Sequence, residues 1–449
     1  MTKMLNTAAR FSSAPHLMPT AVRCVALASA LCCAGLAQAQ STTASTVTLY
    51  GIADVGITQV TGLKAGSVTQ VASGIMEGSR WGLKGNEELG GGYRAVFTLE
   101  NRFELDTGSV SNKPISGTQL PDRLAQTALM GLPAGLQPFV TATGASLATE
   151  LGINVGKDGG RLFDRQAFVG LVTPFGAILA GRQYTPAFET NANFDIMATQ
   201  SGLAAGQLIS FPSAMDIRAS NALVYRLQQG AISGSVMYAA GEVTGGSDDK
   251  GRLLGINGMY KTDTFAVGFG HNNRNNELGE RSLSTSIIGA TLNMGSSTFS
   301  TMAVKVLDDN PSGLSTIASG LMSNAAFTTP LGVAAAPSAA AIQNAFKEGI
   351  RQDGRLIHIG YRYVTGPSTI SLAYNNYADN RPADSSTKSY GAAYTYALSK
   401  RTDLNAVLVR YDNNDNAQKA PGGNGYLGGF TASRGTDSTS LALGIRHRF

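Results

Sequence analysis

The chain has 449 residues with 35 basic and 30 acidic side chains; charged residues make up only 14% of it, while glycine numbers 54. A mean hydropathy near zero excludes a polytopic helical membrane protein, and the nearly balanced charge gives little support to a nucleic-acid partner. No Pro/Ser-rich or charged linker divides the chain, so one large domain is the simplest reading.

At the N-terminus, CVALASALCCAGLA, from Cys24 to Ala37, is an apolar run too short for the roughly 20 residues of a bilayer-spanning helix. It follows Lys3, Arg10 and Arg23 and precedes Ala37-Gln38-Ala39, the small-residue pattern of a cleavage site. Residues 1–39 therefore read as a secretory signal peptide and residues 40–449 as the exported domain. Cleavage removes all three cysteines and three positive charges, leaving 32 basic against 30 acidic residues and no thiol for a disulfide.

Beyond the leader, helical stripes are nearly absent and segments of about ten residues with period-2 alternation recur to the end. In TVTLYGIADVGITQV, Val47, Leu49, Gly51, Ala53, Val55 and Ile57 share one face, with Thr48, Asp54 and Thr58 on the other. YRAVFTLENRFELD alternates more cleanly, with Tyr93, Ala95, Phe97 and Leu99 opposite Arg94, Thr98, Glu100 and Arg102. The last segment is the chain end, LALGIRHRF, where Leu441, Leu443, Ile445, His447 and Phe449 alternate with residues that include Arg446 and Arg448. Sixteen such segments can be read, and an even number suits a closed antiparallel barrel whose first and last strands pair. Short connections such as TPFG, QQG, GSS and SKRTD alternate with long polar ones such as TGGSDDKG and DNNDNAQKAPGGNGYLGGF. Sorting of this kind predicts periplasmic turns at one end and exterior loops at the other.

In combination, VTLYGIADVG, SRWGLKGNEELGGGYRAVFTLE, the RQAFVGL and AGRQY pair, and the terminal GIRHRF resemble the trimeric general porins of beta-proteobacteria over essentially the whole mature chain. The resemblance implies a 16-stranded antiparallel transmembrane β-barrel with short periplasmic turns, long exterior loops and an inward-folded third loop. It also implies a homotrimer in the outer membrane among its lipid and lipopolysaccharide, with Phe449 forming part of the signal read by the outer-membrane assembly machinery. Its function would be a water-filled channel for passive diffusion of small hydrophilic solutes and ions, with no reaction, no cofactor and no metal. A solute-specific outer-membrane channel is the alternative. It would call for an aromatic track in the lumen, whereas most aromatic residues here fall on the lipid-facing parity.

By the same resemblance, the constriction loop runs from about Glu189 to Asn221 and carries three acids, Glu189, Asp195 and Asp216. Facing it, a basic cluster is implied at Arg80, Arg165 and Arg218, with Lys84 on the Arg80 face. Opposed rows of charge would set a transverse field across a narrow aqueous slot, favouring polar solutes.

Other motifs are weaker. GNGYLG, residues 423–428, matches G-x-G-x-x-G without a helix or ribose-binding acid after it, and DNNDN carries Ala417 and Gly423 where a calcium loop needs Gly and Glu. His271, His358 and His447 lack the neighbours of a hydrolase triad. Two long insertions, near residues 107–160 and 308–353, depart from the family pattern, and VAAAPSAAAIQNAFKEG in the second has the composition of a short helix. The first insertion either enlarges a subunit contact or caps the pore.

Overall fold

The computed structural model describes residues 45–110, 114–147, 161–198, 201–209, 215–242, 247–422 and 429–449; residues 1–39, read above as a signal peptide, and the GNGYLG segment lie outside them. In chain order the barrel strands are β1 (Thr46–Leu63), β2 (Gly66–Ser73 and Arg80–Gly90), β3 (Tyr93–Arg102), β4 (Gln166–Thr173), β5 (Gly176–Tyr184), β6 (Arg218–Gln229), β7 (Ile232–Ala239) and β8 (Leu253–Lys261). They continue as β9 (Phe265–Asn275), β10 (Arg281–Met294), β11 (Ser297–Asp308), β12 (Gln352–Thr365), β13 (Ser368–Asp379), β14 (Thr387–Ala397), β15 (Thr402–Asn413) and β16 (Ser438–Arg448). Each pairs antiparallel with its chain neighbours, giving the closed 16-stranded barrel expected from the alternation.

Closure occurs between β1 and β16, in register from Ile52↔Arg448 to Val60↔Ser440. Phe449 then exchanges both backbone hydrogen bonds with Gly51, at 3.1 and 3.0 Å. A chain end in a bilayer must have its backbone groups paired, and this one is paired to its last residue. The Phe449 ring lies so close over Gly51 that a Cβ there would sit 2.3 Å from its Cζ, so no larger residue fits. Leu441, Leu443 and Ile445 face outward and Ser440 and Ala442 inward, as the period-2 pattern requires. Outward aromatics, including Tyr225, Tyr260, Phe265, Phe299, Tyr363 and Tyr394, gather near the short turns as an interfacial girdle.

The interruption of β2 was not legible in the alternation. Its two halves pair with β1 in turn, at Val55↔Ser73 and Ile52↔Arg80, while residues 74–79 bend into the lumen. The buried carboxylate of Asp54 holds the bend by accepting from the backbone N–H of Ile75 and Met76 at 2.9 Å and of Glu77 at 2.7 Å.

The insertions are helical. The first contributes α1 (Asp122–Ala125) and α2 (Gln137–Leu147), and the second contributes α4 (Ile317–Met322), α5 (Ala325–Leu331) and α6 (Ala335–Ile350); α3 (Pro186–Phe194) belongs to the third exterior loop. Leu124, Val140, Phe327, Ile342 and Phe346 from both insertions share one apolar core with Phe430 from the β15–β16 connection. The insertions leave the wall at β3–β4 and β11–β12, eight strands apart and therefore on opposite sides of the barrel. They meet where Arg123 Nε donates to the Gly349 carbonyl at 3.2 Å, beside the start of β12. Two loops rooted on opposite walls and sharing a core form a lid over the exterior mouth. The expected short helix is the 16-residue α6, which supplies Ala339, Ile342, Phe346 and Ile350 to that core at helical spacing.

Candidate functional site

The third exterior loop, residues 185–217, turns inward and crosses the lumen. Thr185 begins it: its hydroxyl accepts from Phe188 N–H at 3.4 Å as the N-cap of α3, while it also donates to the Asp216 carbonyl at the other end of the loop. α3 then lies against the inner wall of β8 to β11. Phe194 is seated on Gly289, where a Cβ would stand 2.3 Å from its Cγ. Beyond the helix, Ile196, Met197, Leu203 and Leu208 are buried against inward residues of β11 to β15, including Val304, Leu356, Val407 and Tyr411.

Wall side chains pin the loop by its backbone. His358 Nε2 accepts from Ile196 N–H at 3.0 Å, Asn375 Nδ2 donates to the Leu203 carbonyl at 3.1 Å, and Tyr411 donates to the Gly202 carbonyl at 3.0 Å. Ser300, Arg362 and Lys419 donate to the carbonyls of Phe194, Ile196 and Leu208. A loop tethered at this many points is held fixed against β8 to β15, opposite the wall formed by β16 and β1 to β6.

That wall is rich in arginine. Arg165 Nε donates to Glu100 at 2.8 Å and its Nη2 to the Tyr184 hydroxyl at 2.7 Å, while the Arg218 guanidinium lies 4.8 Å from the centre of the Tyr184 ring. Arg80 pairs with Glu77 at 2.6 Å, on the inward bend. Lys84 is exposed nearer the periplasmic end, 5.3 Å over the ring of Tyr50, whose hydroxyl donates to Glu100. The four basic residues singled out from the sequence thus fall on one wall, three of them around Glu100, Tyr184 and Glu77.

Further arginines complete the wall. Arg102 pairs with Asp164 at 2.6 Å, and Arg446 and Arg448 share Glu77 and Asp403 at 2.9 to 3.0 Å. Parity could have found Arg102, which shares a face with Glu100, whereas the Tyr184 hydroxyl between two guanidiniums has no signature in the sequence.

The three loop acids do not form an opposing charged row. Asp195 is buried and turned into its own loop, accepting from the backbone N–H of Met197 and Ala205 at 2.9 Å. Glu189 is held bidentate by Arg226 at 2.6 and 2.9 Å, and Asp216 by Arg274 at 2.9 Å. The acids expected to oppose the basic cluster Arg80, Lys84, Arg165 and Arg218 are thus engaged by other groups: packing of the loop against the wall directs these carboxylates to internal donors and to Arg226 and Arg274. Positive charge is in excess on the inner wall, since Arg80, Arg102, Arg165 and Arg218 gather around three carboxylates, Glu77, Glu100 and Asp164.

Comparison with known proteins places this geometry. The family described as Gram-negative porin matches residues 25–416. Outer membrane porin protein 32 of Delftia acidovorans is 26% identical over 434 residues, covering 93% of this chain and 97% of that protein. An outer membrane porin of Bordetella pertussis is 41% identical over 90 residues, a stretch that spans 17% of this chain and 22% of that relative. Among solved structures, an anion-selective porin from Comamonas acidovorans superposes with a TM-score of 0.63 at 22% identity, covering 90% of this chain and all of that one. With its closed barrel, inward loop and family match, the chain belongs to the Gram-negative porins of the outer membrane.

Proposed function

We propose that the protein is a water-filled diffusion channel for small hydrophilic solutes that favours anions, and that it assembles as a homotrimer. The observation that carries this reading is the imbalance at the slot: four arginines gather around three carboxylates, and the loop acids are engaged by Arg226, by Arg274 and by their own backbone. In a narrow aqueous passage with low-dielectric walls, fixed positive charge concentrates anions and repels cations. The Comamonas acidovorans neighbour is named as an anion-selective porin, which agrees with that sign. A trimer form is named for OmpT of Vibrio cholerae, which superposes with a TM-score of 0.52 at 13% identity. Under the same reading, Phe449 is the signal for the assembly machinery, and its exposed ring at the closing seam is accessible to a receptor before insertion. A solute-specific channel is the second reading; the lid over the mouth favours it, since a cap restricts which solutes reach the slot.

The test is reconstitution in a planar bilayer with a salt gradient. The expected reversal potential has the anion-selective sign, and closure occurs in steps of three. Arg80→Ala combined with Arg165→Ala shifts the potential toward cations and raises conductance. Unchanged selectivity in the double variant would remove these arginines from the constriction, and saturable block by one solute would establish the specific channel instead.

A further inference from the structure

Three cations meet beneath the lid with one carboxylate between them. Arg381, in the β13–β14 connection, is held bidentate by Asp379 at 2.8 and 2.9 Å. Asp379 also accepts from the Ser385 backbone N–H at 2.9 Å, and Ser385 Oγ lies 3.5 Å from Arg123 Nη1 of α1. Lys419, in the β15–β16 connection, stands 4.0 Å over the ring of Tyr377, which precedes Asp379 by two residues on the inward face of β13. Among the described residues, neither Arg123 nor Lys419 has a carboxylate partner: Arg123 Nε donates to the Gly349 carbonyl, and Lys419 donates to that of Leu208. The neighbouring acids are turned elsewhere. Asp353, on the outward parity of β12, accepts from Asn380 Nδ2 at 2.9 Å, and Asp122 accepts from the Arg434 backbone N–H at 3.4 Å.

A second observation comes from the phenol. Tyr377 is only 5% exposed, and its hydroxyl lies over Gly354 of β12, where a Cβ would stand 2.4 Å from it. That hydroxyl has no hydrogen-bond partner among the described residues, although a buried donor is ordinarily paired. The cations bear the strain of their gathering. Burial and Arg123 push Lys419 down to about 7, and burial and Arg381 push Arg123 down to about 10. Both side chains keep part of their surface accessible, so the cluster is not sealed.

We infer that this cluster is a binding site for a doubly charged oxyanion of the phosphate class, seated between Arg123, Lys419 and the Tyr377 hydroxyl. Arg123 offers its second terminal nitrogen, Lys419 its remaining ammonium protons and Tyr377 its phenolic proton, so three donors meet several oxygens. Chloride supplies one charge and no such set of oxygens, which makes the site selective among anions. Arg123 comes from the first insertion, the carbonyl that orients it from the second, and Lys419 from the β15–β16 connection. The site is therefore assembled only when the lid is closed, and its ligand joins lid to wall. Tyr377 and Asp379 face the lumen, so the ligand is a solute of the channel mouth. As a statement of which anions the channel receives, the inference rests on the anion-favouring reading above.

The test is thermal unfolding of the purified protein in detergent, titrated with inorganic phosphate against chloride at equal ionic strength, with the reversal potential of each variant recorded in parallel. The unfolding temperature of the wild type should rise saturably with phosphate and stay level in chloride. Tyr377→Phe removes a hydroxyl that makes no hydrogen bond within the protein. It should leave unfolding in chloride unchanged and raise the phosphate concentration at half-response about tenfold. Arg123→Gln should abolish the response. Arg80→Ala with Arg165→Ala should keep the response while shifting the reversal potential, which separates a failure at the slot from a failure of this site. No response in the wild type, or the same response in wild type, Tyr377→Phe and Arg123→Gln, would overturn the site. Loss of the response in the Arg80 and Arg165 double variant alone would assign phosphate to the constriction and overturn it equally.

Discussion

The imidazole of His358, on the inner wall of β12, accepts the backbone N–H of Ile196 in the constriction loop at 3.0 Å while its other ring nitrogen lies 2.6 Å from the Asn375 amide oxygen. To accept at Nε2 the ring must be neutral with its proton on Nδ1, donated to Asn375. His358→Ala leaves a buried N–H unpaired at a cost of about 1–3 kcal/mol. The expected outcome is a looser loop: higher single-channel conductance and greater open-channel noise than wild type. A quiet channel of wild-type conductance would show that the remaining tethers suffice.

Gly289 and Phe194 form a tight wall-to-loop contact, since a Cβ at position 289 would meet the ring at 2.3 Å. Gly289→Leu overpacks this seat, an effect of about 1–3 kcal/mol in well-packed interiors. It should lower the unfolding temperature and displace α3 toward the slot, reducing conductance. Adding Phe194→Ala should restore both quantities in part, and failure to do so would mean the two positions are not coupled.

The lid sets a further expectation. Phe346 is fully buried at its centre, and truncating a buried phenylalanine costs about 3–5 kcal/mol. Phe346→Asp should open the lid while leaving the barrel strands paired. Liposome swelling would then admit larger sugars than it does with wild type, at unchanged ion selectivity. If the lid lay to one side of the permeation path, the swelling rates would not change.

Lys419 gives the pH dependence. Burial pushes its ammonium from 10.5 down to about 7; repulsion from Arg123 adds to that, and Asp379 opposes it. The folded loops therefore bind this proton less well than the unfolded chain does. The resulting stability is fully present above the unfolded value near 10.5 and is lost as pH falls through about 7. Because Lys419 donates to the Leu208 carbonyl and sits 4.0 Å over the Tyr377 ring, the tether between the β15–β16 connection and the constriction loop should weaken on that descent. Open-channel noise recorded from pH 10 to pH 6 should rise in wild type and stay flat in Lys419→Met. A parallel rise in both would assign the effect to other groups.

Strand count, closure and the outward face were readable from the residues because a barrel in lipid obeys a local rule, alternation with period 2, at every position. The same rule put Arg80 on the inner face, and family motifs supplied Arg165 and Arg218; the structure sets the three on one wall around Glu77, Glu100 and Tyr184. The surroundings of the loop acids were not legible in this way. Whether Asp195 faces water or its own backbone depends on how the loop packs against β12 to β15, and no periodicity reports contacts between residues far apart in the chain. For the same reason the sequence was silent on the inward bend of β2 held by Asp54, the phenol of Tyr184 between two guanidiniums and the meeting of two insertions over the mouth. The sequence by itself determined the barrel and its membrane, because these follow from local pattern and family motifs. Only the tertiary structure decided which charges remain free in the slot and what covers the entrance, because both depend on packing between segments that the alternation does not relate.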